Sequence, residues 1–494
     1  MTKTSRTYED AVGDLNSLQT NAASLEAVRK SKGILNLKSL PEMRCFLERV
    51  GYQIPEFDQL NVIHVTGTKG KGSTCALTES ILRNVDDSSP IKTGLFTSPH
   101  LVEVRERIRI NGRPLGKDSF AKYFYECWDK LEATKALVSP EQPIRPTYFR
   151  YLTLLAFHIF MQEKVDVALM EVGVGGEYDS TNVIEKPVVC GISALGIDHE
   201  NILGTTISEI AWHKSGIIKN ATPVFTVPQL PEAMEVIETR AKEKKALCSI
   251  VKPYSSYSNA PKNLGLSGKH QLENAALAIS LCHSWLSKKR PNMLAKTAEG
   301  EIPQSFIHGL EQVTWPGRGQ RLQVEKIPNV TWFIDGAHTL ESMQICAEWF
   351  KGAAFEKTEG DVERFLLFNG AKGRSGTKLL KILTELQAKM NFKHILFCPN
   401  LPYAHVSSNA DSRNFTIEFD ESLAPQKSLA DFWVESTREV NSNSECITHV
   451  FASIDESVKW VEEYMKSSDK NVQILTTGSI HLVGGLLNVL NVAI

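Results

Sequence analysis

Residues 62–74 read VIHVTGTKGKGST. A β-branched apolar run stops abruptly at a cluster of glycines, lysines and hydroxyls. A strand, a tight glycine turn and a helix together converge backbone N–H groups on one point at the positive end of the helix, a natural seat for an anion. The stretch STCALTESILRN (73–84) has the helical periodicity that supplies this context. The spacing departs from the common phosphate loop, in which four residues separate the first glycine from Gly-Lys-Ser/Thr. Here two residues separate Gly67 from Gly70-Lys71, and Gly72 intervenes before Ser73. In a phosphate loop Lys71 would reach the β/γ phosphates, and Ser73 would cap the helix, bind phosphate or touch Mg²⁺. The alternative is a glycine-rich turn with two solvated lysines.

Working outward, the first strand is expected at Asn61–Thr66. Others are expected at DVALMEVG (166–173), PVVCGISALG (187–196) and TPVFTVP (222–228). These runs are continuously apolar rather than alternating, which favours strands buried on both faces of a parallel sheet. Residues 8–50 have helical apolar spacing. Lys288–Pro316 is rich in Lys, Pro and polar residues, and a domain boundary is placed near VTWPGRGQRL, dividing the chain into 1–315 and 316–494. Beyond it TWFIDGAHT (331–339), RFLLFNGAKG (364–373), HILFCPNLPY (394–403) and VQILTTGSIH (472–481) repeat one pattern, an apolar run leading into Gly, Asn or Asp. The expected fold is α/β: a doubly wound, mostly parallel sheet domain of P-loop type, then a smaller Rossmann-like α/β domain, with ligands at the carboxyl ends of the strands. Residues 404–446, with many Ser and Asn, are read as a loop or insertion.

Bulk properties narrow the function. With 494 residues, 23% charged, and a net charge of −2, no global field attracts nucleic acid or an anionic membrane. Any anion must be held by local groups. The nine cysteines are scattered and odd in number, giving neither a zinc knuckle nor a disulfide framework, and point to reduced intracellular thiols. YLTLLAFHIFM (151–161) falls short of the ~18 apolar residues of a membrane span and carries His158. The N-terminal stretch has no signal-peptide core and too many acids for a transit peptide, so the cytoplasm is expected.

Four further stretches carry chemistry. In EVGVGGEYDSTN (171–182), Glu171 ends an apolar strand, where a carboxylate suits Mg²⁺ or caps a turn. In GISALGIDHENILGTTISEIAWHKSGIIK (191–219), Asp198-His199 end another strand, a place where His is more often structural than a ligand. Thr206 and Glu209 have capping-box spacing, so a helix is expected through ISEIAWHKS to Gly216. Lys214 falls in its last turn, where a cation complements the helix dipole. In WPGRGQR (315–321) and FIDGAHT (333–339), Arg318 at the junction suits a bidentate phosphate clamp. Asp335 suits ribose hydroxyls, and His338 follows just past the strand.

In their order, VTGTKGKGS, TSPHLVEVRERIRING, EVGVGGEYDSTN, DHENILGTTISEIAWHKSGIIK, GKHQLENAALA, WPGR, DGAHT and TTGSIHLVGG closely resemble folylpolyglutamate synthase of the eukaryotic type, within the Mur-ligase-like ATP-dependent amide ligases. The resemblance runs from about residue 60 to the C-terminus. It implies an acid–amino-acid ligase that adds L-glutamate to the γ-carboxylate of tetrahydrofolate or folylpolyglutamate through an acyl phosphate. Gly70, Lys71, Gly72 and Ser73 would bind ATP phosphates, with Asn274 near adenine and Arg318 and Asp335 binding ATP from the C-terminal domain. Ser98, Glu171 and His199 would ligate Mg²⁺. Lys214 matches a lysine carbamylated in the family, whose anionic product would hold a second Mg²⁺. Lys71, Lys214 and His338 form the implied catalytic set, His338 facing the acyl phosphate. A monovalent cation, a monomeric state, and a mitochondrial form beside the cytoplasmic one also follow from the resemblance.

Three alternatives stand beside this. One is a bifunctional dihydrofolate synthase/folylpolyglutamate synthase, whose bacterial members more often have Asn-Glu-Arg-Ile where this chain has Arg105-Glu106-Arg107-Ile108. Another is a Mur ligase, disfavoured by the lack of an evident UDP-binding N-terminal domain. The third is a nucleotide- or folate-binding protein without turnover, disfavoured by an intact Lys71 and Glu171.

Overall fold

The structure, a computed structural model, describes residues 6–19, 38–86, 88–138, 142–294, 297–356, 361–370, 375–404, 411, 420–440 and 446–492. By its internal contacts the chain divides into two compact units. One comprises Met1–His100, Val104–Gly265 and His270–Thr314, the other Leu101–Glu103, Leu266–Lys269 and Trp315–Ile494.

In the first unit, eight strands among the described residues form one sheet. They are β1 (Ile63–Thr66), β2 (Thr93–Phe96), β3 (Ile108–Ile110), β4 (Arg113–Pro114), β5 (Val167–Glu171), β6 (Val189–Ile192), β7 (Val224–Thr226) and β8 (Cys248–Ile250), in the order β4-β3-β2-β5-β1-β6-β7-β8. From β2 to β8 all pairings are parallel, while β3 and β4 run antiparallel at one edge. Every residue of β1, β5 and β6 is buried, as helices on both faces of a parallel sheet require. The register Val65↔Glu171 and Thr66↔Ile192 sets the carboxyl ends of these three central strands side by side. The helix Lys71–Arg83 leaves the end of β1 with Ser73 through Leu82 all buried. It packs against the helices His270–Lys289 and Gln304–Gln312. Gly309 makes the second contact so close that a Cβ there would lie 2.5 Å from the Ile81 Cα, and Ser80 Oγ donates to the Gly309 carbonyl at 2.7 Å.

The second unit has six described strands: β9 (Gln320–Val324), β10 (Ile327–Ile334), β11 (Val362–Phe368), β12 (Phe392–Phe397), β13 (Ile447–Val450) and β14 (Asn471–Thr477), in the order β13-β12-β11-β14-β10-β9. Only β9 is antiparallel to its neighbour. One face buries Phe333, Phe350, Phe392 and Trp433. The other buries Trp332, Phe365, Ile474 and Leu486.

The structure has both α/β domains that the sequence implies. The first strand begins at Ile63, not Asn61, because Asn61 takes a left-handed conformation (φ 46°) closing the 3₁₀ turn Ile54–Leu60. Helices occupy Tyr8–Ser17 and Ser39–Val50 of the expected helical stretch 8–50, and the part at 20–37 lies outside the described residues. The Lys-, Pro- and polar-rich stretch Lys288–Pro316 contains the helix Gln304–Gln312. The stretch read as a loop contains the helix Ala424–Val440, with 405–410, 412–419 and 441–445 outside the described residues. All nine cysteines are free thiols. Among the described residues, no helix is long and apolar enough to cross a membrane.

Candidate active site

The loop after β1 owes its shape to glycines that nothing larger replaces. Gly67 has φ 152°, and a Cβ on it would lie 1.9 Å from Ser193 Oγ. Gly70 has φ 85°, and its Cβ would lie 2.2 Å from Asn274 Oδ1. Both backbone conformations are ones L side chains rarely adopt. The loop is also tied to the segment following β6. Thr68 and Lys69 N–H both donate to the Ala194 carbonyl, at 2.9 and 3.0 Å. Ser193 Oγ donates to Lys69 O at 2.7 Å, and Lys69 Nζ pairs with Asp198 at 3.2 Å. The first intrahelical bond closes from Thr74 N–H to Gly70 C=O at 2.8 Å. The N–H groups of Lys71, Gly72 and Ser73 therefore precede the helical ladder and present themselves to an anion.

Two lysines meet at this loop. Lys71 Nζ donates to the Gly67 carbonyl at 3.0 Å, and Lys214 Nζ donates to the same oxygen at 2.7 Å. Lys214 sits in the last turn of the helix Ile207–Ser215, which starts with the expected capping box of Thr206 and Glu209. It is 4% exposed, so it is not a solvated helix-end cation. Burial pushes its amine well below the ordinary lysine range, and the charge of Lys71 adds to the shift.

Beside the loop, Glu171 ends β5 and is buried. Its Oε2 accepts the Ser98 N–H at 2.8 Å, which brings these two residues together through the backbone of Ser98. His199 lies in a left-handed conformation (φ 55°) at the head of the short helix Glu200–Leu203, on the segment that ties down the loop. Asp198 Oδ1 accepts its N–H at 2.9 Å. Among the described residues, no three His, Cys, Asp or Glu side chains gather around a common point. Mg²⁺ does not need such a cluster, because it usually keeps several waters and takes one or two carboxylates plus substrate phosphate oxygens. A buried strand-end carboxylate with a serine beside it fits that donor set. Asn274 is buried against Gly70, donating from Nδ2 to Gln271 Oε1 at 2.9 Å.

The structure adds residues that the sequence did not single out. Asp179 organises the glycine loop after Glu171. Its Oδ2 accepts Gly173 and Val174 N–H, each at 3.1 Å, and its Oδ1 accepts the Thr181 N–H and hydroxyl at 3.0 and 2.6 Å. Because the Thr181 hydroxyl donates to Asp179, His64 on β1 must donate its Nε2–H to Thr181, at 2.9 Å. Burial lowers the His64 imidazole to about 3, so it stays neutral and holds that tautomer. The signal for Asp179 was local, an Asp two residues before a Thr that it caps.

In the second unit, Arg318, Asp335 and His338 come together. Asp335 follows β10 and accepts Gly319 and Ala337 N–H, each at 2.9 Å. It thus fastens the turn that carries Arg318. A Cβ on Gly336 would lie 2.6 Å from Arg318 Nη1, so that glycine leaves room for the guanidinium. His338 Nδ1–H donates to the Gly336 carbonyl at 2.9 Å, since a carbonyl only accepts. In the neutral ring, Nε2 is then the acceptor nitrogen.

No family model matches the chain. Human mitochondrial folylpolyglutamate synthase is 40% identical, over 99% of this chain and 92% of its own length. Folylpolyglutamate synthase of Candida albicans is 42% identical, over 98% of this chain and 96% of its own. A crystal structure of Mycobacterium tuberculosis folylpolyglutamate synthase complexed with ADP and AMPPCP superposes with a TM-score of 0.66 at 23% identity, covering 94% of this chain and 99% of that one. The two mostly parallel α/β sheets are the fold of that structure, and the class of the relatives is that of an ATP-dependent ligase. Within that class, the full-length relatives settle the membership: the chain belongs to the folylpolyglutamate synthase family.

Proposed function

We propose that this ligase adds L-glutamate to the γ-carboxylate of a reduced folate, or of a folate already carrying glutamates, at the expense of ATP. The γ-phosphoryl group passes to the folate carboxylate, breaking its bond to ADP and forming an acyl phosphate. The glutamate amine then attacks the acyl carbon, phosphate leaves, one proton is released, and a γ-amide remains. The observation that carries this reading is the glycine-walled loop with Lys71 and Lys214 converging on the Gly67 carbonyl.

In this reading the N–H groups of Gly70, Lys71, Gly72 and Ser73 cradle the phosphates. Lys71 swings from Gly67 to offset charge on the transferring phosphoryl group. Asn274 packs beside the adenine. Arg318 and Asp335 contribute to nucleotide binding from residues 316–494, and His338 presents Nε2 toward the acyl phosphate. Ser98, Glu171 and His199 would hold Mg²⁺, which supplies electrostatic shielding of the phosphates when bound. Lys214, neutral by burial, adds CO₂: the amine forms an N–C bond, releases a proton and becomes a carbamate anion that would hold a second Mg²⁺. A monovalent cation and a monomeric state complete the reading. So does action in the cytoplasm with a mitochondrial form, the latter in keeping with the human relative's name.

ATP-dependent incorporation of labelled glutamate tests it directly. Tetrahydrofolate should be extended and dihydropteroate should not. Equal use of dihydropteroate would replace this reading with the bifunctional one.

A further inference from the structure

The helix that carries Lys214 ends in carbonyls that need partners from outside it, since the last four C=O groups of a helix have none within. Gly216 and Ile217 N–H approach His213 and Lys214 O only at 3.3 and 3.4 Å. The stronger contacts come from elsewhere. Glu177 N–H donates to His213 O at 2.7 Å. Arg240, on the helix Pro231–Glu243, donates from Nη1 to Trp212 O at 3.1 Å, and its guanidinium lies 4.6 Å from the centre of the Trp212 ring. The same Arg240 donates from Nη2 to Glu177 Oε2 at 2.6 Å. One guanidinium therefore grips both the helix end and the loop that caps it.

The fit between loop and helix has no slack. A Cβ on Gly176 would meet the His213 and Lys214 carbonyls at 2.8 Å each, and one on Gly216 would lie 2.4 Å from the Glu177 Cα. Asn182 Nδ2 bridges the Glu177 and Gly216 carbonyls at 3.0 and 3.1 Å. This loop begins at Glu171, so the interlock joins the strand end bearing Glu171 to the helix turn bearing Lys214.

We propose that Arg240, acting through Glu177 and the Trp212 carbonyl, is the positioning residue that holds Lys214 at the phosphate loop. The inference rests on the reading of Lys214 as a carbamylated catalytic lysine. Arg240 donates to Trp212 and Glu177 and not to Lys214 or the glycine loop after β1. Its planar fork spans two acceptors at once, which a lysine ammonium on a flexible stem does not reproduce.

The test measures carbamate and turnover together. The ¹³C resonance formed from labelled bicarbonate is recorded for the wild type, for Lys214→Ala as the blank, and for Arg240→Ala, Arg240→Lys and Glu177→Gln. Expected is a wild-type carbamate signal absent from the blank. In Arg240→Ala that signal falls and kcat drops about 10–100-fold, as when an outer-shell partner is removed, with KM for ATP near wild type because the phosphate loop is intact. Arg240→Lys recovers only part, and Glu177→Gln, which keeps shape and folding, shows a milder loss of the same kind. Wild-type carbamate and kcat in both Arg240→Lys and Glu177→Gln would overturn the positioning role, even if Arg240→Ala is less stable. Absence of any carbamate in the active wild type would instead overturn the Lys214 reading itself, and the inference with it.

Discussion

Gly67→Ala probes the loop at its tightest point. The new methyl group would stand 1.9 Å from Ser193 Oγ, 3.1 Å from its Cβ and 3.2 Å from its backbone carbon. The hydroxyl must move by more than 1 Å to reach the closest separation real Cβ atoms show. Its single proton is shared between Lys69 O at 2.7 Å and Thr66 O at 3.2 Å. Losing that bond costs about 1–3 kcal/mol, and forcing alanine to φ 152° adds about 1–3 kcal/mol. A stability loss of roughly 2–6 kcal/mol follows, unless the loop shifts to relieve it. A shift moves the Gly67 carbonyl, on which both lysines converge, and a displacement near 1 Å costs on the order of 100-fold in turnover. Urea unfolding and steady-state kinetics measure the two effects. Adding Ser193→Ala removes the closest contact but not the backbone strain, so the double variant should be less impaired than the sum of the single losses. Strict additivity, or a Gly67→Ala enzyme with wild-type stability and kcat/KM, would refute the reasoning.

Other expectations follow from single groups. Lys71→Ala should keep the fold and lose about 2.7–4 kcal/mol of transition-state stabilisation, by analogy with loss of an oxyanion donor; purified variant kcat checks it. Glu171→Gln should shift the Mg²⁺ titration to higher concentration and recover part of its activity there, whereas a curve matching wild type would make Glu171 a turn residue only. Lys214→Ala should be nearly inactive, with partial rescue by formate or acetate; retained activity and a stability loss of roughly 0.3–1 kcal/mol would mark a mere helix-end cation. For pH, burial pushes Glu363 up, but hydrogen bonds from Lys393, Tyr464 and Lys470 prevail and bring its carboxyl down to about 2. A depressed carboxyl contributes stability that is present above its unfolded value and lost as pH falls through the folded one. Acid unfolding should therefore be shallower between about pH 4.5 and 2 in Glu363→Gln, as followed by circular dichroism.

What the sequence disclosed and what it hid divide along contact range. The strand, glycine loop and helix after β1 were legible because their requirements are local: glycines at positive φ, a lysine, and a helix starting within a few residues. The central strands were legible because burial on both faces leaves an unbroken apolar run. The antiparallel strands β3 and β4, of three and two residues, carry no such run. The helix Gln304–Gln312 was hidden by flanking Pro and Lys, although its apolar face packs on the helix after the loop. Least legible were contacts across long separations. Only the fold brings Asn274 against Gly70, or Lys214 to an oxygen 147 residues earlier. Spacing therefore read Lys214 as a dipole-complementing cation, and only the family resemblance gave it another role.

That convergence has an electrostatic consequence. With Nζ groups 3.0 and 2.7 Å from one carbonyl oxygen, Lys71 and Lys214 stand close enough that two full charges would repel by roughly 3 kcal/mol at an effective dielectric constant of ~20. One carbonyl does not offset that, and burial, with the charge of Lys71 adding to it, pushes the Lys214 amine well below the ordinary lysine range. A neutral amine is the form that adds CO₂, and the carbamate proposed for Lys214 would turn the repulsion into an attraction of similar size. Arginine at this position would keep its charge and could not add CO₂. The two lysines are therefore placed differently, Lys214 buried at 4% exposure and Lys71 half-buried at the head of its helix. The oxygen both reach belongs to Gly67, where a Cβ would lie 1.9 Å from Ser193 Oγ, so no side chain fits at the point of convergence.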